Sequence, residues 1–148
     1  MSEMKNSNCP VCVTGTLVEY KAIDNINYKK QSLSVEIEYS VCEKCQEKMI
    51  LPNQIKRNDC QIREAWRKAD GMLTGIEIHA LRKQLNLTQK EAAIMFGGGT
   101  NAFSKYERGE VIQSEAMDKL MRLALEKQPI VVLYWLSTHS GMQTDQYG

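Results

Sequence analysis

The sequence predicts an α+β protein: a small β-rich module at the N-terminal end, followed by an all-α domain of about five helices. Three observations carry this. Residues 9 to 50 combine four cysteines with apolar segments of period two. From Gly75 onward, apolar residues recur at three- and four-residue spacing behind capping residues. Between these regions "DGMLTG" (Asp70 to Gly75) sets two glycines around a short bridge. The expected division is residues 1–70, which include a linker helix, and residues 71–148.

Composition narrows the class. The chain has 148 residues, 43% hydrophobic and 25% charged, which leaves room for one domain or two small ones. A formal net charge of +1 gives no global positive excess of the kind that marks nucleic-acid binders. No run reaches the roughly 18 apolar residues of a membrane span. The opening "MSEMKNSNCP" has no apolar core of a signal peptide. A cytoplasmic location with no membrane partner is expected. In such a chain five cysteines, an odd number, point to metal or redox chemistry more than to a disulfide framework.

The elements follow in order. "GTLVEYKAI" reads as a strand, with Gly15 as the turn before it. "DNIN" (Asp24 to Asn27) reads as a turn or loop between strands. "SLSVEIEYSV" alternates, with Leu33, Val35, Ile37, Tyr39 and Val41 on one face of a half-buried strand. In "LPNQIKRNDCQIREAWRKAD", Pro52 fits a helix start. Ile55, Cys60, Ile62, Ala65, Trp66 and Ala69 form a loose stripe along that helix. "GIEIHALRKQLN" places Ile78, Leu81 and Leu85 on one face. Thr88 caps "QKEAAIMF", and Glu91 three residues later gives the capping-box pattern. "SEAMDKLMRLALEK" places Met117, Leu120, Met121 and Leu125 together, with Ser114 as the cap. Pro129 opens a last segment, in which Ile130 to Leu136 are seven consecutive apolar residues. A helix so apolar on all sides is expected to be buried, at least partly across a two-fold dimer interface.

The four cysteines Cys9, Cys12, Cys42 and Cys45 form two C-x-x-C pairs separated by 29 residues. Two residues between cysteines let both sulfurs face one point across a tight turn. Two such turns complete a tetrahedron with metal–sulfur distances of about 2.3 Å. Thiolates fit zinc by softness, with iron the commoner confusion. Four thiolates close the shell and leave no position for a catalytic water, so a structural Zn2+ is expected. It would hold together a segment too small for a large core. Cys60 lies outside the pattern and reads as a free thiol on a helix. A thiol redox enzyme using one C-x-x-C pair is the catalytic alternative. The chain has only His79 and His139 as histidines and no convincing nucleophile–base pair.

"MFGGGTNAFSKYERG" (Met95 to Gly109) admits two chemistries. No G-x-x-x-x-G-K-[ST] motif is present, but Gly97, Gly99 and Ala102 satisfy a relaxed G-x-G-x-x-[GA]. That dinucleotide fingerprint needs a strand before it. What precedes it here is a capped, alanine-containing helix. Two short helices explain more residues. Counting from Gln89, Ala93 falls where two helices cross closely. Gly97 falls where the first helix ends, Phe103 and Tyr106 point to the core, and Gly109 ends the second helix. This pattern resembles the Xre/Cro type of helix-turn-helix domain over roughly Ile76 to Leu125.

That resemblance implies that the second helix enters the major groove. Its exposed face would be Thr100, Asn101, Ser104 and Lys105, with Asn101 able to pair with adenine and Lys105 with guanine. Gln89 and Lys90 would lie near a phosphate, and Glu107 would pair with Arg82. The plainer alternatives are Asn101 as a helix cap and Lys105 as a solvated or phosphate-binding lysine. From Gly71 to Gly148 there are eight Lys and Arg against eight Asp and Glu, so this half is formally neutral. Five of those cations, Arg82, Lys83, Lys90, Lys105 and Arg108, fall in its first three helices. Weak non-specific binding and a dimer spanning two half-sites are therefore expected.

The whole arrangement resembles the MqsA family of bacterial antitoxins. "CPVC", "VCEKC", "LNLTQKEAA" and above all "FGGGTNAFSKYERG" carry the likeness, over about residues 9 to 127. It implies an antitoxin of a type II toxin-antitoxin pair. The zinc module would neutralise a toxin that is an RNA-cleaving enzyme. The C-terminal domain would form a homodimer and repress its own operon on palindromic DNA. Asn101 matches the family's base-reading asparagine, whereas Lys105 stands where the family has arginine. Arginine's fork and lysine's point charge read bases differently. The second reading is a stand-alone zinc-containing transcriptional regulator without a toxin partner.

Overall fold

The structure, a computed structural model, describes residues 7–126. The chain divides into two compact units, Met1–Trp66 and Arg67–Gly148.

A long hairpin forms the first unit. Strands β1 (Leu17–Tyr28) and β2 (Gln31–Cys42) pair antiparallel without a break from Leu17↔Cys42 to Tyr28↔Gln31. Only Lys29 and Lys30 remain for the turn, and Lys29 takes φ 54°, the left-handed backbone of a two-residue loop. The "DNIN" segment is thus not the expected turn. Asp24 to Asn27 lie inside β1, opposite Val35 to Ser32. This part of β1 is largely exposed, so polar side chains are hydrated there. The Ser34 hydroxyl donates across the pair to Asn25 Oδ1 at 2.9 Å. The short strand β3 (Lys48–Met49) pairs with β2, giving the order β1-β2-β3.

Helix α1 (Pro52–Ala69) begins on its proline and meets the hairpin through polar side chains as well as through Trp66 of the expected apolar stripe. Ile55 of that stripe is 46% exposed, while Gln54 and Asn58 are buried. Gln54 Nε2 donates to Ser40 Oγ at 2.9 Å. Asn58 Oδ1 accepts from the Glu38 amide at 2.8 Å, and its Nδ2 donates to the Glu38 carbonyl at 2.9 Å. One carboxamide thereby supplies both groups that a neighbouring strand would have given β2. Arg57 pairs with Glu38, and Trp66 stacks on Tyr28 with ring centroids 5.3 Å apart.

The second unit holds α2 (Gly75–Gln84), α3 (Gln89–Phe96), α4 (Ala102–Glu107) and α5 (Glu115–Glu126). Side chains cap three of these helices. Thr74 and Glu77 form a reciprocal capping box at α2. Thr88 Oγ1 accepts from the Glu91 amide at 3.1 Å, and Ser114 Oγ from the Met117 amide at 3.1 Å. The core gathers Ile78, Leu81 and Leu85 with Ala93, Phe96, Phe103, Tyr106 and Met121. On α5 the buried stripe is narrower than expected. Met121 and Ala124 are buried and Met117 and Leu125 partly so, but Leu120 is 43% exposed. One residue along a helix is a rotation of about 100°, which carries Leu120 off the Met121 face.

The predicted closing segment, Ile130 to Leu136, lies outside the described residues. Among the described residues no helix is long and apolar enough to cross a membrane.

Candidate metal centre and helix-turn-helix surface

Two similar turns build the cysteine cluster. Val13 N–H donates to the Cys9 carbonyl at 2.9 Å, and Gln46 N–H to the Cys42 carbonyl at 3.0 Å. Val13 and Gln46 both take left-handed backbone, φ 64° and 61°. Each turn aims amides at sulfur: Val11 at Cys9 (3.4 Å), Gly15 at Cys12 (3.3 Å), Lys44 and Cys45 at Cys42 (3.4 and 3.5 Å). The turns are held together by backbone bonds, including Glu43 N–H to the Thr16 carbonyl at 3.0 Å.

All four sulfurs lie within 4.8 Å of one another. Cys9–Cys45 and Cys12–Cys42 are 3.7 and 3.6 Å apart, and all five cysteines are free thiols. A tetrahedron with metal–sulfur bonds of about 2.3 Å has edges of about 3.8 Å, so the donors fit a metal ion. A Cβ added at Gly15 would overlap Cys42 Sγ and lie 3.0 Å from Cys12 Sγ. Residue 15 must therefore be glycine for the sulfurs to converge.

The electrostatics lead to the same centre. Burial opposes ionisation of Cys12, but the Gly15 amide and neighbouring donors bring its thiol down to about 6. The Cys45 amide, against burial, likewise lowers Cys42. Cys45 is pushed up to about 12: the Glu47 amide favours its thiolate, but desolvation and the nearby sulfurs outweigh that. Thiolates so close repel one another unless a cation lies between them. Around them is a small core of Cys9, Leu17 and Cys42, flanked by Met49 and Leu51.

In the second unit, Gly97 closes α3 with its amide on the Ala93 carbonyl at 2.9 Å. Gly97, Gly98 and Gly99 all have positive φ, 89°, 99° and 95°. A helix and not a strand leads into them, which removes the dinucleotide-loop reading. The turn sends the chain into α4, whose Phe103 and Tyr106 are buried, with the Phe103 ring between Phe96 and Tyr106 as ring neighbours. Gly109 follows α4 at φ 75°. Thr100, Asn101 and Lys105 are exposed and Ser104 half-buried, while Gln89 and Lys90 are exposed at the start of α3. Asn101 makes no side-chain cap bond, so its carboxamide is not used to cap the start of α4. Gly98, Thr100, Asn101, Lys105, Tyr106 and Val111 border a recess of about 390 Å³.

A family model for the antitoxin component of bacterial toxin-antitoxin systems, MqsA, matches residues 7–133. The chain belongs to the MqsA antitoxin family. Antitoxin MqsA of Escherichia coli (strain K12) is 34% identical over 125 residues, spanning 82% of this chain and 93% of that protein. The matched range of this MqsA-family chain contains both the cysteine cluster and α2 to α5.

Two polar networks hold the helices of this MqsA-family domain. Arg82 pairs with Glu107, as the helix-turn-helix resemblance implies, at 2.8 Å; their side chains are 7% and 6% exposed. The same carboxylate also binds His79 Nδ1 at 2.6 Å and Gln89 Nε2 at 3.1 Å, which sequence reasoning missed. The signal for His79 was its place three residues before Arg82, on the same helix face. Burial pushes the Glu107 carboxyl up, but Arg82, His79 and Gln89 outweigh it and hold it below the usual carboxylate range. Asp118 accepts from the Leu73 amide, Gln113 Nε2 and Arg122 Nε at 2.8, 2.9 and 2.9 Å. Burial raises its carboxyl too, and those bonds again leave it lowered. Arg122 four residues on was the only sequence signal for this cluster.

Proposed function

We propose that this MqsA-family antitoxin has a division of labour between its units. The first, held by a structural Zn2+ on Cys9, Cys12, Cys42 and Cys45, binds and neutralises a toxin that cleaves RNA. The second acts as a homodimer in the cytoplasm and represses its own operon on palindromic DNA. Four thiolates favour zinc by softness and fill its shell, which leaves the ion a scaffold and not a catalyst. The chain is thus assigned binding, not catalysis. Thr100, Asn101, Ser104 and Lys105 face base edges, and Gln89 and Lys90 face phosphates.

One observation carries the DNA reading. Asn101 and Lys105 are exposed one turn apart on a helix fixed by a glycine turn, and Asn101 spends no side-chain bond on capping. Exposed Leu120 and Leu123 on α5 give a second copy apolar surface to cover. The test has two arms. A gel shift compares the duplex upstream of the coding sequence with a scrambled duplex of the same composition. Co-purification from the native host, read by mass, looks for a small companion. Sequence-specific binding with a companion supports the antitoxin-repressor reading. Specific binding without one favours a stand-alone regulator, and no preference for the upstream duplex defeats the DNA reading.

A further inference from the structure

We propose that Arg67 is a positioning residue for α4, setting the pitch at which the reading helix presents Asn101 and Lys105. The inference rests on α4 being the DNA-reading helix.

Arg67 is fully buried in the second unit. Its Nη1 donates to the Tyr106 carbonyl at 2.9 Å and its Nη2 to the Val111 carbonyl at 2.5 Å. These carbonyls stand on either side of the turn that ends α4. Tyr106 lies in the last turn of the helix, and Val111 follows Gly109. With six residues, α4 has too few internal bonds to hold its own direction. Apart from Arg67, the Tyr106 carbonyl receives the Gly109 amide at a long 3.2 Å. The guanidinium's planar fork spans two acceptors with one rigid group and places positive charge at the negative end of the helix.

The carboxyl end of α4 is also held by Gly75. A Cβ there would overlap the Glu107 carbonyl and approach the Tyr106 carbonyl to 3.0 Å. The amide of Glu110 returns to the Lys105 carbonyl at 2.9 Å. Val111, which Arg67 fixes, borders the same recess as Asn101 and Lys105. The fork therefore acts, through the turn it clamps, on the wall beside both candidate readers. It touches neither of them and need touch no DNA.

The test uses the full metal-loaded chain with Arg67→Met, which keeps length without donors, and Arg67→Lys, which keeps charge without the fork. Gel shifts compare the upstream duplex with the scrambled one, at a temperature where circular dichroism shows each variant folded. The affinity ratio is expected to fall by about tenfold or more in Arg67→Met, the discrimination of one base contact, and less in Arg67→Lys. Low-salt binding to the scrambled duplex is expected to persist. Hydrogen exchange should quicken at the Glu110 and Val111 amides and not at Ile78 or Leu81, which a general loss of stability would move together. If Arg67→Met fails to fold, Arg67→Lys decides alone. An undiminished ratio in either folded variant overturns the inference. If the wild-type chain itself shows no preference for the upstream duplex, the DNA-reading assignment of α4 fails and takes this inference with it.

Discussion

Replacing Glu107 by glutamine tests the most connected group of the second unit. The carboxylate binds Arg82, His79 and Gln89, and so ties α2, α3 and the end of α4 to one point. Glutamine keeps the shape but offers one neutral acceptor and leaves the Arg82 charge uncompensated. Removing one partner of a buried pair costs about 3–5 kcal/mol. Here His79, with a side chain 53% exposed, opens one edge of the cluster to water. Arg82 also keeps its bond to the Leu87 carbonyl at 2.8 Å. A loss of roughly 2–3 kcal/mol is therefore expected. For a small unit, each kcal/mol moves Tm by about 4–8 °C, so the midpoint should fall by about 10–20 °C.

The same substitution has a pH signature. In the folded chain Glu107 is held below its ordinary carboxylate value. Its contribution is therefore fully present above the unfolded value of about 4.3, and is lost as pH falls through the lower folded value. Glutamine does not titrate. The gap in Tm between wild type and Glu107→Gln should persist from neutrality down to about pH 5 and then close in acid. Thermal melts followed by circular dichroism read both effects. A fall of less than about 3 °C near neutrality, or a gap that persists unchanged into acid, would refute the account of this cluster.

Three further outcomes are expected. Gly15→Ala should lower bound metal per chain, measured by elemental analysis, because its Cβ overlaps Cys42 Sγ; full metal content would show that the turn yields. Cys42→Ser should unfold the first unit while the second still melts cooperatively, and a full-length melt identical to wild type would count against a structural metal. Asn101→Ala should abolish preference for the upstream duplex in a gel shift while leaving the melt and metal content unchanged; undiminished preference would remove Asn101 as a base reader.

The legible parts of the sequence are those whose geometry is local. The cysteines could be read because two residues between ligands fix where both sulfurs point. Ile78, Leu81 and Leu85 could be read because the α-helical period is unforgiving, and all three are buried. What escaped depends on partners far along the chain. Asn58 looks like a surface residue of α1 until Glu38, 20 residues earlier, supplies its two bonds. Gln54 is buried on Ser40, 14 residues away. Arg67 joins carbonyls 39 and 44 residues later. No periodic signal announces a polar side chain that replaces a strand or clamps a turn. The "DNIN" segment misled for a related reason. Asp and Asn favour turns by bonding their own backbone, and here the ladder to β2 took those backbone groups instead.

The triple glycine separates two requirements that a sequence cannot. A Cβ at Gly98 would lie 3.1 Å from Ala102 Cβ and 3.2 Å from the Tyr106 hydroxyl, so that position needs space as well as backbone freedom. Added Cβ atoms at Gly97 and Gly99 would meet nothing within 4 Å, so their requirement is conformational. With φ near +90° at each, an L side chain there costs of order 1–3 kcal/mol. A phosphate loop uses glycine so that its backbone can approach an anion behind a strand. Here one glycine makes room for α4 to pack on the core, and its neighbours reverse the chain between two helices. The same three letters thereby fix the direction of α4, and with it the side on which Asn101 and Lys105 emerge.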